Sequence, residues 1–160
     1  MHDDREGLPF TPDQNRLRRA FEQAAGHDDD AAFLLRDVGG RLLERLDLLK
    51  LKPEVILDVG CGTGMITAQL MKKYRRARVI GLERAPAMVA KARKRAPWLR
   101  TLHGLCAELE AVPLADARFD LIFSNLALPW TADLDQTLAE FRRLLKPGGA
   151  LLFSTLGPDT

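Results

Sequence analysis

An apolar run that stops at three closely spaced glycines is the feature that most constrains the fold of this chain. Residues 55–65 read VILDVGCGTGM, and the first five, Val55–Val59, are typical of a buried strand. Glycines spaced G-x-G-x-G permit a tight turn against which a ligand can lie. Apolar residues then recur at helical spacing over Thr63–Tyr74. A strand, a glycine turn and a helix in this order predict a parallel sheet that binds its ligand beyond the carboxyl ends of the strands.

Strands and helices continue to alternate after this point. Further strands are predicted at Arg78–Leu82, Leu99–Leu102, Phe119–Ser124 and Ala150–Ser154. Further helices are predicted over Pro86–Ala96 and Asp133–Leu145, the latter ended by the sequence KPGG and with its inward face formed by Leu134, Leu138, Phe141 and Leu145. Five strands separated mostly by helices predict an α/β fold with a mostly parallel sheet covered on both faces.

Two helices are predicted before the first strand, after a loose tail over residues 1–12. Asp13 is a candidate N-cap of the first helix. Apolar residues recur at helical spacing in this helix, at Leu17, Ala20, Phe21, Ala24 and Ala25. After the interruption GHDDD, the second helix has apolar residues at every fourth position, at Leu34, Val38, Leu42 and Leu46. The Gly39-Gly40 pair weakens the prediction for its middle.

Composition excludes several classes of protein. A chain of 160 residues with a net charge of +2 is one domain, and its charge is too small to indicate nucleic-acid binding by itself. No apolar stretch is long enough to span a membrane, and the polar N-terminus is unlike a signal peptide. Two cysteines form neither a disulfide framework nor a zinc site and favour the cytoplasm. Cys61 is expected to pack within the glycine loop and Cys106 in the core.

Three kinds of ligand compete for the glycine loop. A P-loop requires a lysine after its glycines, and this loop has none. The dinucleotide fingerprint G-x-G-x-x-G is met by Gly60 and Gly62, but Met65 stands at its third glycine position. An assignment as a nicotinamide-dependent oxidoreductase would therefore rest on two glycines alone.

Acidic residues around the loop favour the third kind of ligand, which carries positive charge. Asp58 precedes the loop, which itself contains no Lys or Arg, so a pyrophosphate would be repelled. Glu83 ends the second strand, where an acid accepts hydrogen bonds from ribose hydroxyls. A cationic ribose ligand without phosphate is S-adenosylmethionine. The alternatives are that Asp58 only caps the loop and that Glu83 is a surface acid.

The motifs ILDVGCGTG, FDLIFSNLALPW and LLKPGGALLFSTLGP, together with Glu83, resemble the class I S-adenosylmethionine-dependent methyltransferases. The resemblance implies a Rossmann-like fold in which Asp58 and the glycines face the methionine part of the cofactor. It also implies that Glu83 binds the ribose, that Glu108 contacts the adenine amino group, and that Asn125 and Leu126 line the mouth where methyl transfer occurs. The cofactor-binding residues implied in this way are Asp58, Gly60, Cys61, Gly62, Gly64, Glu83, Arg84, Glu108, Leu109, Asn125 and Leu126. One of Glu108 and Glu110 is expected to point to solvent.

A narrower resemblance, carried by residues 16–64 and by the segments SNLALPW and FSTLGPDT, is to the malonyl-acyl-carrier-protein O-methyltransferases of biotin synthesis. His27 stands where that family commonly has tyrosine. The family continues beyond the fifth strand. The resemblance therefore implies an N-terminal tail and helices over residues 1–50 that cap the cofactor site, and an S-adenosylmethionine-binding core over 51–160 whose C-terminal part is absent. Without that part, we expect the chain to bind cofactor but to transfer little methyl and to self-associate through Ala150–Ser154. The alternative is a related complex I assembly factor or a non-catalytic cofactor-binding protein.

The resemblance implies an acyl carrier protein as partner, and two basic runs bear on this expectation. Both runs, Lys72–Arg78 and Lys91–Arg100, fall at the C-terminal ends of helices, where the helix dipole stabilises positive charge. Solvated surfaces are therefore the preferred interpretation. A docking patch for the acidic carrier is the alternative, and nucleic acid ranks lower because aromatic residues are few. Trp130 is a candidate lid over the substrate or a simple helix terminus. No catalytic residue is assigned, because a carboxylate acceptor is already ionised and needs no general base.

Overall fold

The computed structural model describes residues 13–24 and 33–157. Two helices precede an alternation of five strands with three further helices. The helices are α1 Gln14–Ala24, α2 Phe33–Arg45, α3 Met65–Lys73, α4 Pro86–Lys94 and α5 Leu134–Leu144. The strands are β1 Val55–Val59, β2 Arg78–Glu83, β3 His103–Cys106, β4 Phe119–Asn125 and β5 Leu145–Ser154. Short 3₁₀ helices occupy Leu46–Leu49 and Leu128–Trp130.

The five strands form one parallel sheet in the order β3-β2-β1-β4-β5. The chain proceeds outward from β1 to β3 and then returns to the other side of β1 with β4. Ligands of doubly wound sheets bind at such a reversal, beyond the carboxyl ends of the strands. The ends of β1, β2 and β4 meet there, which confirms the predicted fold class.

Each face of the sheet has its own apolar core. Consecutive residues of β1 point to opposite faces, so Ile56 packs with Leu70 and Phe123 on one side, whereas Leu57 packs with Phe141 on the other. All of these side chains are fully buried. Burying one such side chain contributes about 1.5–3 kcal/mol, so both layers of helices are tightly held to the sheet.

The two predicted N-terminal helices are confirmed where the structure describes them, although Leu34 of the predicted apolar face is 55% exposed. Asp13 caps α1, because its Oδ1 accepts hydrogen bonds from the N–H groups of Asn15 (3.0 Å) and Arg16 (3.1 Å). The helix α2 runs through Gly39, where a Cβ atom would lie 2.7 Å from Ile66 and 2.8 Å from Asn125 Nδ2. This glycine lets α2 approach α3 and β4 closely. The predictions for residues 1–12, Ala25, the GHDDD segment with His27, and residues 158–160 lie outside the described residues.

The predicted third strand was wrong. The strand lies at His103–Cys106 rather than at Leu99–Leu102, and its register is set by pairing with β2 from Ile80 to Glu83. Leu99 is 83% exposed and has a left-handed backbone (φ 63°), which a strand does not permit. The apolar residues Leu99 and Leu102 led to the error. The position of the strand is determined by its pairing with β2, and this pairing cannot be predicted from the local sequence.

Two burial predictions also fail. Leu134, predicted to face the core from α5, is 48% exposed, and Thr137 is buried on this helix instead. Cys106, predicted in the core, is exposed, because β3 is an edge strand of the described sheet; Cys61 is buried within the loop as expected. The KPGG sequence bulges within β5, so that Phe119 pairs with Leu145 but Leu121 pairs with Ala150.

Across the described ranges, we find no helix with the length and hydropathy needed to cross a bilayer.

Candidate functional site

A cavity of about 660 Å³ lies at the carboxyl ends of β1, β2 and β4. Its walls come from the glycine loop, the segments that follow β2 and β4, and the helices α1 and α2. Most residues implicated by the sequence line it, namely Asp58, Gly60, Cys61, Gly62, Glu83, Arg84, Leu109, Asn125 and Leu126. Gly64 and Glu108 are not among its lining residues. The cavity has the size of a small-molecule site.

The glycine loop is shaped by close packing as well as by the cavity. Gly60 has a φ of 69°, and a Cβ at this position would overlap the side chain of Ala127. Gly64 has a φ of 82°, and its Cβ would lie 2.6 Å from the Cα of Ala92 in α4. Gly60 therefore brings the loop beneath the segment after β4, whereas Gly64 lets α3 begin against α4.

Asp58 is a buried carboxylate at the base of the cavity. Its Oδ2 accepts a hydrogen bond of 2.6 Å from the hydroxyl of Thr67 in α3. The pKa of Asp58 is raised from 3.8 to about 7, mainly by burial; the negative charge of Glu83 also raises it, whereas the Thr67 hydrogen bond lowers it. A cation bound in the cavity would therefore be attracted to the ionised form of Asp58 and would stabilise that form.

Glu83 is held by backbone N–H groups at the end of β2. Its Oε1 accepts from Arg84 (2.8 Å) and Ala85 (3.2 Å), and its Oε2 accepts from Gly62 (3.2 Å). Burial raises the pKa of Glu83, although these three hydrogen bonds and the Arg84 guanidinium oppose the increase. The carboxylate thus has a fixed orientation between the glycine loop and α4.

Arg84 links the elements that close the cavity. Its buried guanidinium donates to the Gln14 side chain in α1 and to the Trp130 carbonyl oxygen (3.2 Å), and it lies 3.6 Å from Glu108. Phe21 of α1 also meets Trp130 edge to face, with 5.9 Å between ring centroids. The N-terminal helices were predicted to cap the cofactor site, but no local sequence pattern indicated that Arg84 and Trp130 join α1 to the cavity.

The segment after β4 is fixed by the end of β5. Asn125 Nδ2 donates to the Leu35 carbonyl oxygen (2.8 Å), and its Oδ1 accepts from the Ser154 hydroxyl (2.8 Å). Leu126 has a left-handed backbone (φ 54°), and its N–H donates to Ser154 Oγ (3.0 Å). A leucine with a left-handed backbone is strained, so the surrounding structure must hold it in place. Such strained residues are common at functional sites.

The two acids after β3 have different environments. The Glu108 side chain is 47% exposed, so it is the member of the pair that points to solvent, while the neighbouring Leu109 is buried and lines the cavity. Glu110 accepts hydrogen bonds from Thr131 and from the N–H of Ala132 (2.6 Å). Burial raises the pKa of Glu110, but these bonds outweigh it and leave the pKa below its usual value. Glu110 therefore serves to join this loop to the start of α5.

Comparison with protein families gives a match to the methyltransferase domain over residues 57–153, more than half of the chain. The malonyl-[acyl-carrier protein] O-methyltransferase of Methylovorus sp. (strain MP688) is 49% identical over 92% of this chain and 52% of the relative. The enzyme of the same name from Halorhodospira halophila is 46% identical over 92% of this chain and 50% of the relative. The chain thus spans about half the length of the curated relatives it matches.

Solved structures agree with the fold. The N-methyltransferase NodS from Bradyrhizobium japonicum, in complex with S-adenosylhomocysteine, has a TM-score of 0.72 at 23% identity, over 85% of this chain and 71% of that one. Geranyl diphosphate C-methyltransferase from Streptomyces coelicolor also gives 0.72, at 20% identity, over 91% of this chain and 65% of that one. At these identities, the likeness concerns the arrangement of the sheet and helices.

Proposed function

Because the chain belongs to the methyltransferase domain family, we propose that its cavity binds S-adenosylmethionine for methyl transfer to the free carboxylate of a malonyl-acyl carrier protein, a step of biotin synthesis. The observation that carries the cofactor assignment is the pair of buried acids, Asp58 and Glu83, on either side of the glycine loop. The names of the curated relatives support the acceptor. They favour this function over that of an assembly factor or a non-catalytic binding protein.

The residues that line the cavity suit each part of this cofactor. Asp58 faces the charged methionine part, and Glu83 accepts hydrogen bonds from the ribose hydroxyls. Leu109 and Met88 supply apolar surface for the adenine ring, and Gly60 and Gly62 allow the ligand to lie against the backbone. No Lys or Arg occurs in the glycine loop to bind a phosphate, so a nicotinamide dinucleotide fits less well.

Methyl transfer to a carboxylate depends mainly on placement. When bound, the cofactor supplies a methyl group on a positively charged sulfur, which is already a good leaving group. The chain's own residues orient the two reactants and limit water, which can contribute several kcal/mol. Asn125 and Leu126 stand where the acceptor would approach, and α1 with Trp130 covers the cavity. No general base is needed, because the acceptor carboxylate is ionised at neutral pH.

The basic turn lies at the far end of α4 from the cavity. The helix begins at Pro86, two residues before the cavity-lining Met88, and ends at Lys94, about 12 Å further along its axis. The Arg93 guanidinium also donates a hydrogen bond to the Gly104 carbonyl oxygen, so one of its N–H groups is already used within the fold. The placement favours a solvated surface over a docking patch for the carrier protein. The cytoplasm remains the proposed location.

The cofactor assignment is tested by calorimetry on the 160-residue chain with S-adenosylhomocysteine and NAD. We expect binding of the first in clear preference to the second. Glu83→Ala should weaken S-adenosylhomocysteine binding by about 1–3 kcal/mol, because charged hydrogen bonds are left unmade. Tighter binding of NAD would overturn the assignment, and an unchanged affinity in the variant would show that the ribose acid is misplaced. Transfer of a labelled methyl group to malonyl-carrier protein, by a chain of the full length of the curated relatives, tests the acceptor.

A further inference from the structure

The hydroxyl of Thr67 is directed at the acid that faces the proposed cofactor. Thr67 lies in the first turn of α3 and is fully buried, as is Asp58 at the end of β1. Its Oγ1 donates to Asp58 Oδ2 at 2.6 Å. Threonine in a helix can instead donate to a carbonyl oxygen of its own preceding turn. Here the hydroxyl reaches across to the neighbouring strand.

We infer that Thr67 is a positioning residue that fixes the Asp58 carboxylate so that Oδ1 meets the amino group of the cofactor's methionine part. Thr67 thereby sets selectivity for ligands that carry this amino group. The inference rests on the proposed function, because it takes the cavity as the cofactor site.

The geometry supports this role in two ways. A terminal carboxylate rotates broadly about its last bond unless a partner holds it. Asp58 lines the cavity, and the Thr67 bond takes Oδ2, so Oδ1 is the oxygen left to a ligand. Thr67 itself is fully buried, so its packing selects one of the rotamers that a helical threonine can adopt. A rigid donor therefore holds a carboxylate that would otherwise turn.

The charges around Asp58 make the same bond important for ionisation. Burial raises the pKa of Asp58 and Glu83 adds negative charge nearby, whereas the Thr67 hydrogen bond lowers the pKa. The thiol of Cys61 also lies close, but burial and these same two acids raise its pKa, so it stays neutral. Among the causes that act on Asp58, the Thr67 bond is thus the one that favours the charged form, which attracts an ammonium group.

The test compares two ligands that differ in the amino-acid part. S-adenosylhomocysteine carries the ammonium group, and 5′-methylthioadenosine shares the nucleoside and sulfur but lacks it. By calorimetry at pH 7, Thr67→Val should lose about tenfold or more in affinity for S-adenosylhomocysteine and less than about twofold for methylthioadenosine. Thr67→Ser retains the donor and should stay within about threefold of the unaltered chain for both.

A second pair of measurements separates positioning from simple structural support. In an Asp58→Asn background, Thr67→Val should leave the ratio of the two affinities unchanged, because the charged partner is gone. In the unaltered chain, the preference for S-adenosylhomocysteine should increase from pH 6 to pH 8 as Asp58 ionises. Thr67→Ala also removes the donor and should show the same ligand-selective loss, so it keeps the test decisive if Thr67→Val does not fold.

Equal losses for both ligands in Thr67→Val, or a preference that does not change with pH, would overturn the positioning role while leaving the cofactor site intact. If the unaltered chain bound neither ligand, the proposed function would fail and this inference with it. If it bound methylthioadenosine as tightly as S-adenosylhomocysteine, the site would recognise the nucleoside alone and Thr67 would have no selective role.

Discussion

Replacing Asp58 with asparagine should change how the stability of this fold depends on pH. The carboxyl group is almost fully buried, and its pKa in the folded chain is about 7 instead of the usual 3.8. Because the pKa is raised, the folded state binds more protons than the unfolded state between these values. This acid therefore reduces stability progressively as the pH rises from about 4 to about 7, and the penalty is complete above pH 7.

The size of the effect follows from the difference between the two pKa values. Each pKa unit corresponds to about 1.4 kcal/mol, so the full penalty above pH 7 is on the order of 4 kcal/mol. About 2–3 kcal/mol of it develops between pH 5 and pH 8. Asparagine has nearly the same shape, and its Oδ1 can still accept from Thr67, but it does not ionise. The advantage of Asp58→Asn over the unaltered chain should grow by this amount across that range.

Urea unfolding of both chains at pH 5, 6, 7 and 8 measures this advantage directly. Subtracting the unfolding free energy of one chain from that of the other removes the contributions of acids that both chains share, such as Asp120, whose pKa is lowered beside Lys146. A difference in unfolding free energy that stays constant from pH 5 to pH 8 would refute the reasoning. A saturating concentration of S-adenosylhomocysteine should narrow the difference, because the ligand stabilises the ionised acid.

Three other predictions use matched controls. Gly39→Ala should cost about 1–3 kcal/mol in urea unfolding, because its Cβ would meet Ile66 at 2.7 Å, whereas Gly40→Ala has open space and should be neutral or stabilising. Trp130→Ala should weaken S-adenosylhomocysteine binding about two- to tenfold by calorimetry, since the ring packs against Phe21 over the cavity, and replacement of the exposed Trp98 should not. In a chain of the full length of the curated relatives, charge reversal at the end of α4 should leave methylation of the carrier substrate and its salt dependence unchanged; slower association would instead assign a docking surface to Lys91, Arg93, Lys94 and Arg95.

How far the sequence predicts this structure depends on how local each signal is. The strand β1 was predicted with its observed bounds, because a glycine cluster closes an apolar run. The position of β3 depends on which residues pair with β2, and the exposed Leu99 shows that an apolar residue alone does not decide it. Acids at the strand ends were found by their spacing. The contact of Arg84 with Trp130, 46 residues away, had no local pattern.

The distribution of the cavity residues along the chain separates cofactor binding from acceptor choice. The lining residues fall between Ala20 and Trp130, all within the described residues. The one contribution from β5 is indirect, because Ser154 holds Asn125 and Leu126 in place. The described residues thus supply groups suited to each part of the proposed cofactor. In the proposed function, the acceptor would approach past Asn125 and Leu126, which also line the cavity. Changes in Asp58, Thr67 or Glu83 should consequently alter cofactor affinity without altering which acceptor is methylated.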